Sequence, residues 1–261
     1  MKVPCRISHS HSIKMADHHY SILAKVYQFV MQKLIHIFGT EFIGCGKAAG
    51  EWLFGKKFFE KHGKVIYNGI DTQQFRFSSR TRDEMRKQFN LEKQFVIGHV
   101  GHFMKVKNQQ FLISLMPGIL ERRPEAVLLL LGDGELKDKN WEYCKELGIA
   151  DKVIMAGNVS NVADYLCAMD VFVFPSLYEG MPLSVIEVQC NGLPCIISDA
   201  VPGDVFLTDL ICPLSLKSSK ENWIRKICSV SRHDSQKYGR IMGETGFDES
   251  NMLKNIYEIY D

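Results

Sequence analysis

The strongest constraint in the chain is an alternation repeated along its length. Short apolar runs are each followed by a stretch with helical periodicity. Strand-like runs fall at Val3–Ser8, Glu41–Cys45, Lys64–Tyr67, Phe95–Val100, Ala126–Leu131, Lys152–Ala156, Val171–Phe174 and Pro194–Ser198. They are apolar without strict alternation, the pattern of strands buried on both faces of a parallel sheet. Amphipathic stretches lie at Tyr20–Phe38, Thr81–Phe89, Asn108–Arg122, Asp138–Leu147, Val162–Ala168 and Leu183–Asn191. Strand then helix, repeated, predicts βα units wound into an α/β sheet. A last amphipathic helix is expected over Gly246–Asp261, with Asp248 or Ser250 as its cap and Met252, Ile256 and Ile259 as its apolar stripe.

With 261 residues the chain has room for one large or two modest domains. The segment Tyr67–Ser79 carries an Asn-Gly turn and a polar stretch, and reads as a linker between them. Lys and Arg total 32 against 30 Asp and Glu, a net charge of +2 that leaves no electrostatic footprint for nucleic acid. No run approaches the roughly 18 apolar residues of a spanning helix, and the start MKVPCRISHSHS lacks the apolar core of a signal peptide. The eight cysteines form no CxxC pair, and several sit in apolar runs. They read as reduced thiols packed as small hydrophobes, which fits a cytoplasmic protein.

The run Phe172–Glu187, FVFPSLYEGMPLSVIE, is the most informative for chemistry. An apolar strand ends at Pro175, and a helix begins near Leu183. Pro182 suits its first turn, because the N–H that proline lacks would be unpaired there. Gly180 allows close approach of a ligand to the backbone. The N–H groups of Met181, Leu183 and Ser184 would then face an anion, as helix N-termini do. Glu179 and Glu187 would flank one pocket at the carboxyl edge of a strand, where open α/β sheets bind ligands. The plainer reading of the same residues is a surface loop followed by a solvated helix glutamate.

Glu179, Gly180, Pro182 and Glu187 resemble the Glu-Gly-x-Pro…Glu pattern of glycosyltransferase family 4, the retaining enzymes of GT-B fold. Further stretches match in the family's order: VIYNGID (65–71), IGHVGHFMKVKN (97–108), LLLLGDGEL (128–136), VIMAGNVSNV (153–162) and GLPCIISD (192–199). The chain is similar in particular to bacterial exopolysaccharide and capsule enzymes, which also show RIxHSH (here 6–11) and TDL…LSL (here 208–216).

The resemblance implies a fold of GT-B type, with one complete Rossmann-like parallel-sheet domain and a partial N-terminal one. Residues 1–70 would be the partial, acceptor-side domain and 71–245 the donor-binding domain. Residues 246–261 would form a helix packing back toward the N-terminal part. The family's first βα units have no counterpart here, so the expectation is a chain lacking the first part of that domain.

For the site, the resemblance implies that Glu187 accepts hydrogen bonds from ribose hydroxyls and that Glu179 stands by the donor sugar. Gly180, Met181, Pro182 and Leu183 would hold the diphosphate, with Lys107 as the phosphate-binding lysine. The base would lie near Gly157 and Asn158. His102 stands where the family usually has arginine, a weaker and pH-dependent partner for a diphosphate. His9 falls where relatives place a histidine near the donor's anomeric carbon. No cofactor and no metal are implied.

His9 and His11, with Asp17, His18 and His19, also invite a metal reading. No cysteine joins them, and their spacing fits no standard zinc pattern. GDGE (132–135) is a turn after a strand and not GxGxxG, which leaves a dinucleotide dehydrogenase unsupported. The stretch Tyr20–Phe38, with Lys25 and Lys33, fits either a helix packed in the N-terminal domain or one lying on a membrane surface.

Two functions follow as expectations. One is transfer of a hexose-type sugar from a nucleotide diphosphate sugar, such as a UDP-sugar, to a lipid-linked or oligosaccharide acceptor. The other is a nucleotide-sugar-binding module that needs a partner chain to supply the missing half. An epimerase or phosphorylase of the same fold is a weaker third.

Overall fold

The computed structural model describes residues 3–11, 21–232 and 236–260. The chain divides into two compact units, residues 1–70 with 245–261, and residues 71–244.

The first unit opens with β1 (Ile7–Ser10), α1 (Ile22–Phe38), β2 (Glu41–Gly44), α2 (Lys47–Phe54), α3 (Lys56–His62) and β3 (Gly63–Val65). The strands form a parallel sheet in the order β1-β2-β3, with Ile7 opposite Glu41 and Phe42 opposite Gly63. Its core is aromatic, built from Phe42, Phe54 and Phe59. Gly50 and Gly63 are required by that packing, since a Cβ on either would fall within 2.1 Å of the Phe59 ring.

The second unit holds α4 (Ser79–Gln88), β4 (Phe95–Val100), α5 (Gln109–Arg122), β5 (Ala126–Leu131), α6 (Lys137–Glu146), β6 (Val153–Gly157) and α7 (Val162–Ala168). It continues through β7 (Val171–Phe174), α8 (Leu183–Cys190), β8 (Cys195–Ser198), β9 (Ile211–Leu214), α9 (Lys220–Cys228) and α10 (Gln236–Gly243). All six strands are parallel, in the order β6-β5-β4-β7-β8-β9. That is the doubly wound arrangement: the chain moves outward from β4 in one direction, then returns to its other side with β7. Every residue of β5 and β7 is buried, as the apolar runs require. The core combines these strands with Leu112, Met116 and Ile119 of α5 and Trp223 of α9.

The chain then returns to the first unit as α11 (Glu249–Tyr260). Asp248 caps it, accepting the Ser250 N–H at 3.0 Å. Ile70 and Glu249 N–H groups bond Phe247 and Ile70 carbonyls at 2.9 and 3.0 Å. Met252, Ile256 and Ile259 are half-buried.

Several elements carry too little sequence signal to be read in advance. β9 is an edge strand with Pro213 in it, and proline cannot donate to a ladder, so its sequence does not read as a strand. α2 and α10 carry Gly50 and Gly239 inside them, which weakens helical periodicity. β1 begins at Ile7, four residues later than the apolar run from Val3, and β3 ends at Val65, before Tyr67.

Candidate active site in the second unit

The loops after β4 and β7 leave the sheet side by side, where the two directions of winding part. They are tied by three contacts. Asn108 Nδ2 donates to the Pro175 carbonyl at 3.0 Å, and Leu177 N–H to the Val106 carbonyl at 2.8 Å. Lys107 Nζ meets Glu179 Oε1 at 2.8 Å, with the side chains only 18% and 10% exposed. The Lys107 ammonium also lies 5.0 Å from the centre of the Phe174 ring. A pair so withdrawn from water is costly to break from one side, because the remaining charge stays behind without its partner.

The loop after β7 ends in α8. Pro182 is its N-cap residue rather than its first helical one, and no side chain caps the helix. Among the described residues, the N–H groups of Leu183 and Ser184 have no acceptor. The positive end of the helix dipole is therefore open. Gln189 fixes the helix from its buried side, donating to the Val205 carbonyl at 2.8 Å and accepting the N–H groups of Leu207 and Thr208 at 3.0 and 3.1 Å. One turn into α8, Glu187 is half-buried. No hydrogen bond or ion pair reaches its carboxylate, and burial pushes its pKa up to about 7.

A cavity of about 190 Å³ lies over the ends of β4, β5 and β6, lined by Gly101, His102, Gly132, Asn158 and Val162 among others. Gly157, with φ +72°, leaves the sheet beside it and accepts the Gly132 N–H at 2.8 Å. The Gly132–Gly134 turn braces the loop after β4. Both glycines have left-handed φ, and a Cβ would fall 2.2 Å from the Gly101 oxygen or 2.6 Å from the Phe103 oxygen. Phe103 N–H seals the contact on the Asp133 carbonyl at 2.8 Å. Lys137, bonded to Asp133, holds that carboxyl below its usual value, helped by the Gly134 N–H and His102.

The sequence reading passed over two features of this region. The GDG turn is legible as a turn that supports the fold, but the backbone of residues 101–103 that it braces is not. His99, inside the apolar run of β4, gave no signal beyond being polar in a strand. It is fully buried, its ring runs parallel to the Phe172 and Phe174 rings, and its Nδ1 bonds the Val173 carbonyl at 2.9 Å. Burial first, then the Lys107 charge, brings its pKa to about 4, so it is neutral.

The second unit thus gathers Lys107 with Glu179 in one ion pair, His102 with Asn158 in one cavity, and Gly180–Leu183 with Glu187 at one helix start. His9 belongs to the first unit, on β1 opposite Ile43. Its ring centre is 4.0 Å from that of His11, and its Nε2 is buried without a partner. Burial and then the His11 charge lower its pKa. Asp17, His18 and His19 lie outside the described residues, and among the described residues no group of three His, Cys, Asp or Glu could hold a metal ion. The eight cysteines are free thiols.

Comparison with known proteins adds to this geometry. Residues 81–212 match the family profile described as glycosyl transferases group 1. The chain is similar to the putative glycosyltransferase EpsF of Bacillus subtilis, at 30% identity over 99% of this chain and 69% of that protein. It is similar to the capsular polysaccharide biosynthesis glycosyltransferase CapH of Staphylococcus aureus, at 26% identity over 98% of this chain and 69% of that one. The crystal structure of Anabaena Alr3699/HepE in complex with UDP superposes with a TM-score of 0.80, at 20% identity, covering 97% of this chain and 71% of the other. That last likeness speaks for the fold.

Proposed function

The chain belongs to the glycosyl transferases of group 1 and has an α/β fold of the GT-B type, and from that premise we propose that it builds polysaccharide by moving a hexose-type sugar from a UDP-sugar to a growing, lipid-linked glycan, with retention at the anomeric carbon. The observation that carries this reading is Glu187. It is a half-buried carboxylate with no partner, raised to about 7, one turn inside an uncapped helix. Such a group is poised to accept two hydroxyls held side by side, as on a ribose. The diphosphate then falls on the free N–H groups of Leu183 and Ser184, after Gly180, Met181 and Pro182.

When the bond from the sugar carbon to the diphosphate oxygen breaks, negative charge grows on that oxygen. Lys107 and the α8 amides are fixed in advance to receive it, the arrangement that lowers such barriers most. Glu179, paired with Lys107, would stand at the donor sugar, with the base in the cavity of His102 and Asn158 beside Gly157. In this reading Lys107 and the amides meet the diphosphate charge without a metal ion, and no other cofactor takes part. The names of EpsF and CapH support a place in exopolysaccharide or capsule synthesis.

Helix α1 supports a contact with a membrane carrying the acceptor. Ile22, Leu23, Tyr27 and Ile37 are each more than 60% exposed on it, and it bears Lys25 and Lys33 without an acidic residue. No helix of the described residues is long and apolar enough to cross a membrane. The same open helix favours a second reading, a nucleotide-sugar-binding unit that transfers only when a partner chain covers that face.

One experiment tests both. The purified chain is incubated with a UDP-hexose and a polyprenyl-diphosphate-linked sugar, and the product's anomeric configuration is read by NMR. Retained transfer is expected. UDP binding without transfer would favour the second reading, and inversion would overturn the first.

A further inference from the structure

His99, inside β4, takes no part in the chemistry above. Its ring is fully buried, and its two nitrogens are unlike. Nδ1 lies 2.9 Å from the Val173 carbonyl. A carbonyl can only accept, so the proton sits on Nδ1. Burial keeps the ring neutral, and a neutral imidazole carries one proton. Nε2 is therefore a bare acceptor, and it is buried without a partner. An orphaned buried acceptor is rare in a folded chain.

Gly101 shows what Nε2 faces. A Cβ on Gly101 would fall 3.2 Å from His99 Nε2 and 3.4 Å from Lys107 Cδ. The imidazole nitrogen and the lysine stem thus border one small space, and glycine leaves it open. The donors of the loop after β4 are otherwise spent. Gly101 gives its N–H to the Leu131 carbonyl at 3.0 Å. Asn108 gives its amide to the Pro175 carbonyl at 3.0 Å, and Gln109 its amide to the His102 carbonyl at 3.0 Å. His102 and Lys105 are exposed. That leaves Lys107. An ammonium group has three protons to give, and Glu179 takes one of them at 2.8 Å. The Lys107 charge is close enough to be felt at the His99 ring.

We propose that His99 is a positioning residue that acts through Lys107: its Nε2 is a second seat for the Lys107 ammonium, taken when Glu179 turns to a bound donor sugar. The seat itself is a matter of geometry, whereas its use in sugar transfer rests on the donor reading above. In the unliganded chain Glu179 holds Lys107. A donor draws Glu179 to its sugar and presents its diphosphate to Lys107. A charge so withdrawn from water is costly to leave with a bond unmade. His99 accepts the hydrogen bond that Glu179 releases, and the ammonium stays aimed at the diphosphate. A neutral acceptor suits this task. A second carboxylate there would compete with the diphosphate for the lysine charge, while an imidazole lone pair fixes the ammonium and leaves its charge for the developing anion.

The first test needs no donor and no substitution at position 99. NMR spectra of the full chain with nitrogen-labelled histidine are recorded for wild type, for Glu179→Leu, and for Glu179→Leu combined with Lys107→Met. Wild type is expected to show His99 with its proton on Nδ1 and Nε2 bare. Removing the carboxylate should send Lys107 to Nε2 and move that resonance upfield. Removing the lysine as well should return it. A proton on Nε2 in wild type, or an Nε2 resonance unmoved by Glu179→Leu or moved equally without Lys107, would overturn the seat. The second test is calorimetric titration with UDP and with UDP-glucose. His99→Phe should weaken UDP-glucose binding about fivefold in the wild-type background and leave the Lys107→Met chain unaffected, the coupling expected of neighbours that act together. His99→Gln keeps an acceptor and should recover most of the loss. Equal losses in both backgrounds would mark His99 as a packing residue and overturn the proposal. Failure of wild type to bind either nucleotide would count against the donor reading alone, and the nitrogen resonances would still decide the seat.

Discussion

Helices α1 and α5 are both rich in apolar residues, and they spend them in opposite directions. α5 buries Leu112, Ile113, Leu115, Met116 and Ile119 against a complete six-stranded sheet. α1 buries none. Its half-buried residues are Ala24, Gln28, Gln32, Ile35 and His36, with Ile35 packed against the Phe42, Phe54 and Phe59 core, Gln32 donating to the Trp52 carbonyl at 3.2 Å and His36 stacked on Phe58 at 3.6 Å. Apart from Ile35, its large apolar side chains are exposed. Amphipathic periodicity therefore fixes that a helix has two faces; which face turns inward depends on what the neighbouring elements offer.

The largest expected contrast is in stability. Leu130→Ala removes a fully buried side chain from β5 and should cost about 3 kcal/mol, within the range for such cavities. Val30→Ala on α1, nearly half exposed, should cost less than about 0.5 kcal/mol. Urea unfolding of both variants decides this, and equal losses would mean that the α1 face is covered in solution.

The next contrast is between ion pairs. A double-mutant cycle on Lys107 and Glu179 should give a coupling of about 1–3 kcal/mol, because both groups are largely withdrawn from water. The exposed Arg80–Glu84 pair on α4 should give a far smaller coupling, because solvent screens both charges. Similar couplings would show that the Lys107–Glu179 pair opens freely to solvent.

A third concerns pH. Burial raises the Glu187 carboxyl to about 7. Its contribution to folding stability is then full below the ordinary glutamate value and lost as pH rises through about 7. Donor binding should run the other way, since only the carboxylate accepts two hydroxyls. UDP-sugar affinity measured by calorimetry should fall by up to about tenfold per pH unit below 7, and Glu187→Gln should flatten that slope. A wild-type slope unchanged by the substitution would remove Glu187 from the binding site.

The smallest effect returns to α1. Lys25→Gln should weaken binding to anionic vesicles about fivefold, near 1 kcal/mol for one lysine at a charged surface, and leave neutral vesicles unaffected. Co-sedimentation measures it, and equal loss on neutral vesicles would argue that the helix acts through packing.

The strands of the second unit were legible because parallel strands covered on both faces are apolar throughout, as AVLLLL in β5 shows. The loop after β7 was legible because proline, glycine and two glutamates mark the entry to one helix. The pairing of Lys107 with Glu179 was not, since the two are 72 residues apart and meet only through the order of the sheet. The partner that Gly132 and Gly134 support was hidden for the same reason: what they avoid is the backbone of residues 101–103. The orientation of α1 could not be read from its own periodicity, which is equally compatible with either face turned inward.

The most direct test of the account is calorimetric titration of UDP into the wild-type chain and into Glu187→Ala and Lys107→Ala. The account predicts that wild type binds and that each substitution weakens binding at least tenfold. Unchanged affinity in both variants would contradict the assignment of the donor site to the junction of the loops after β4 and β7.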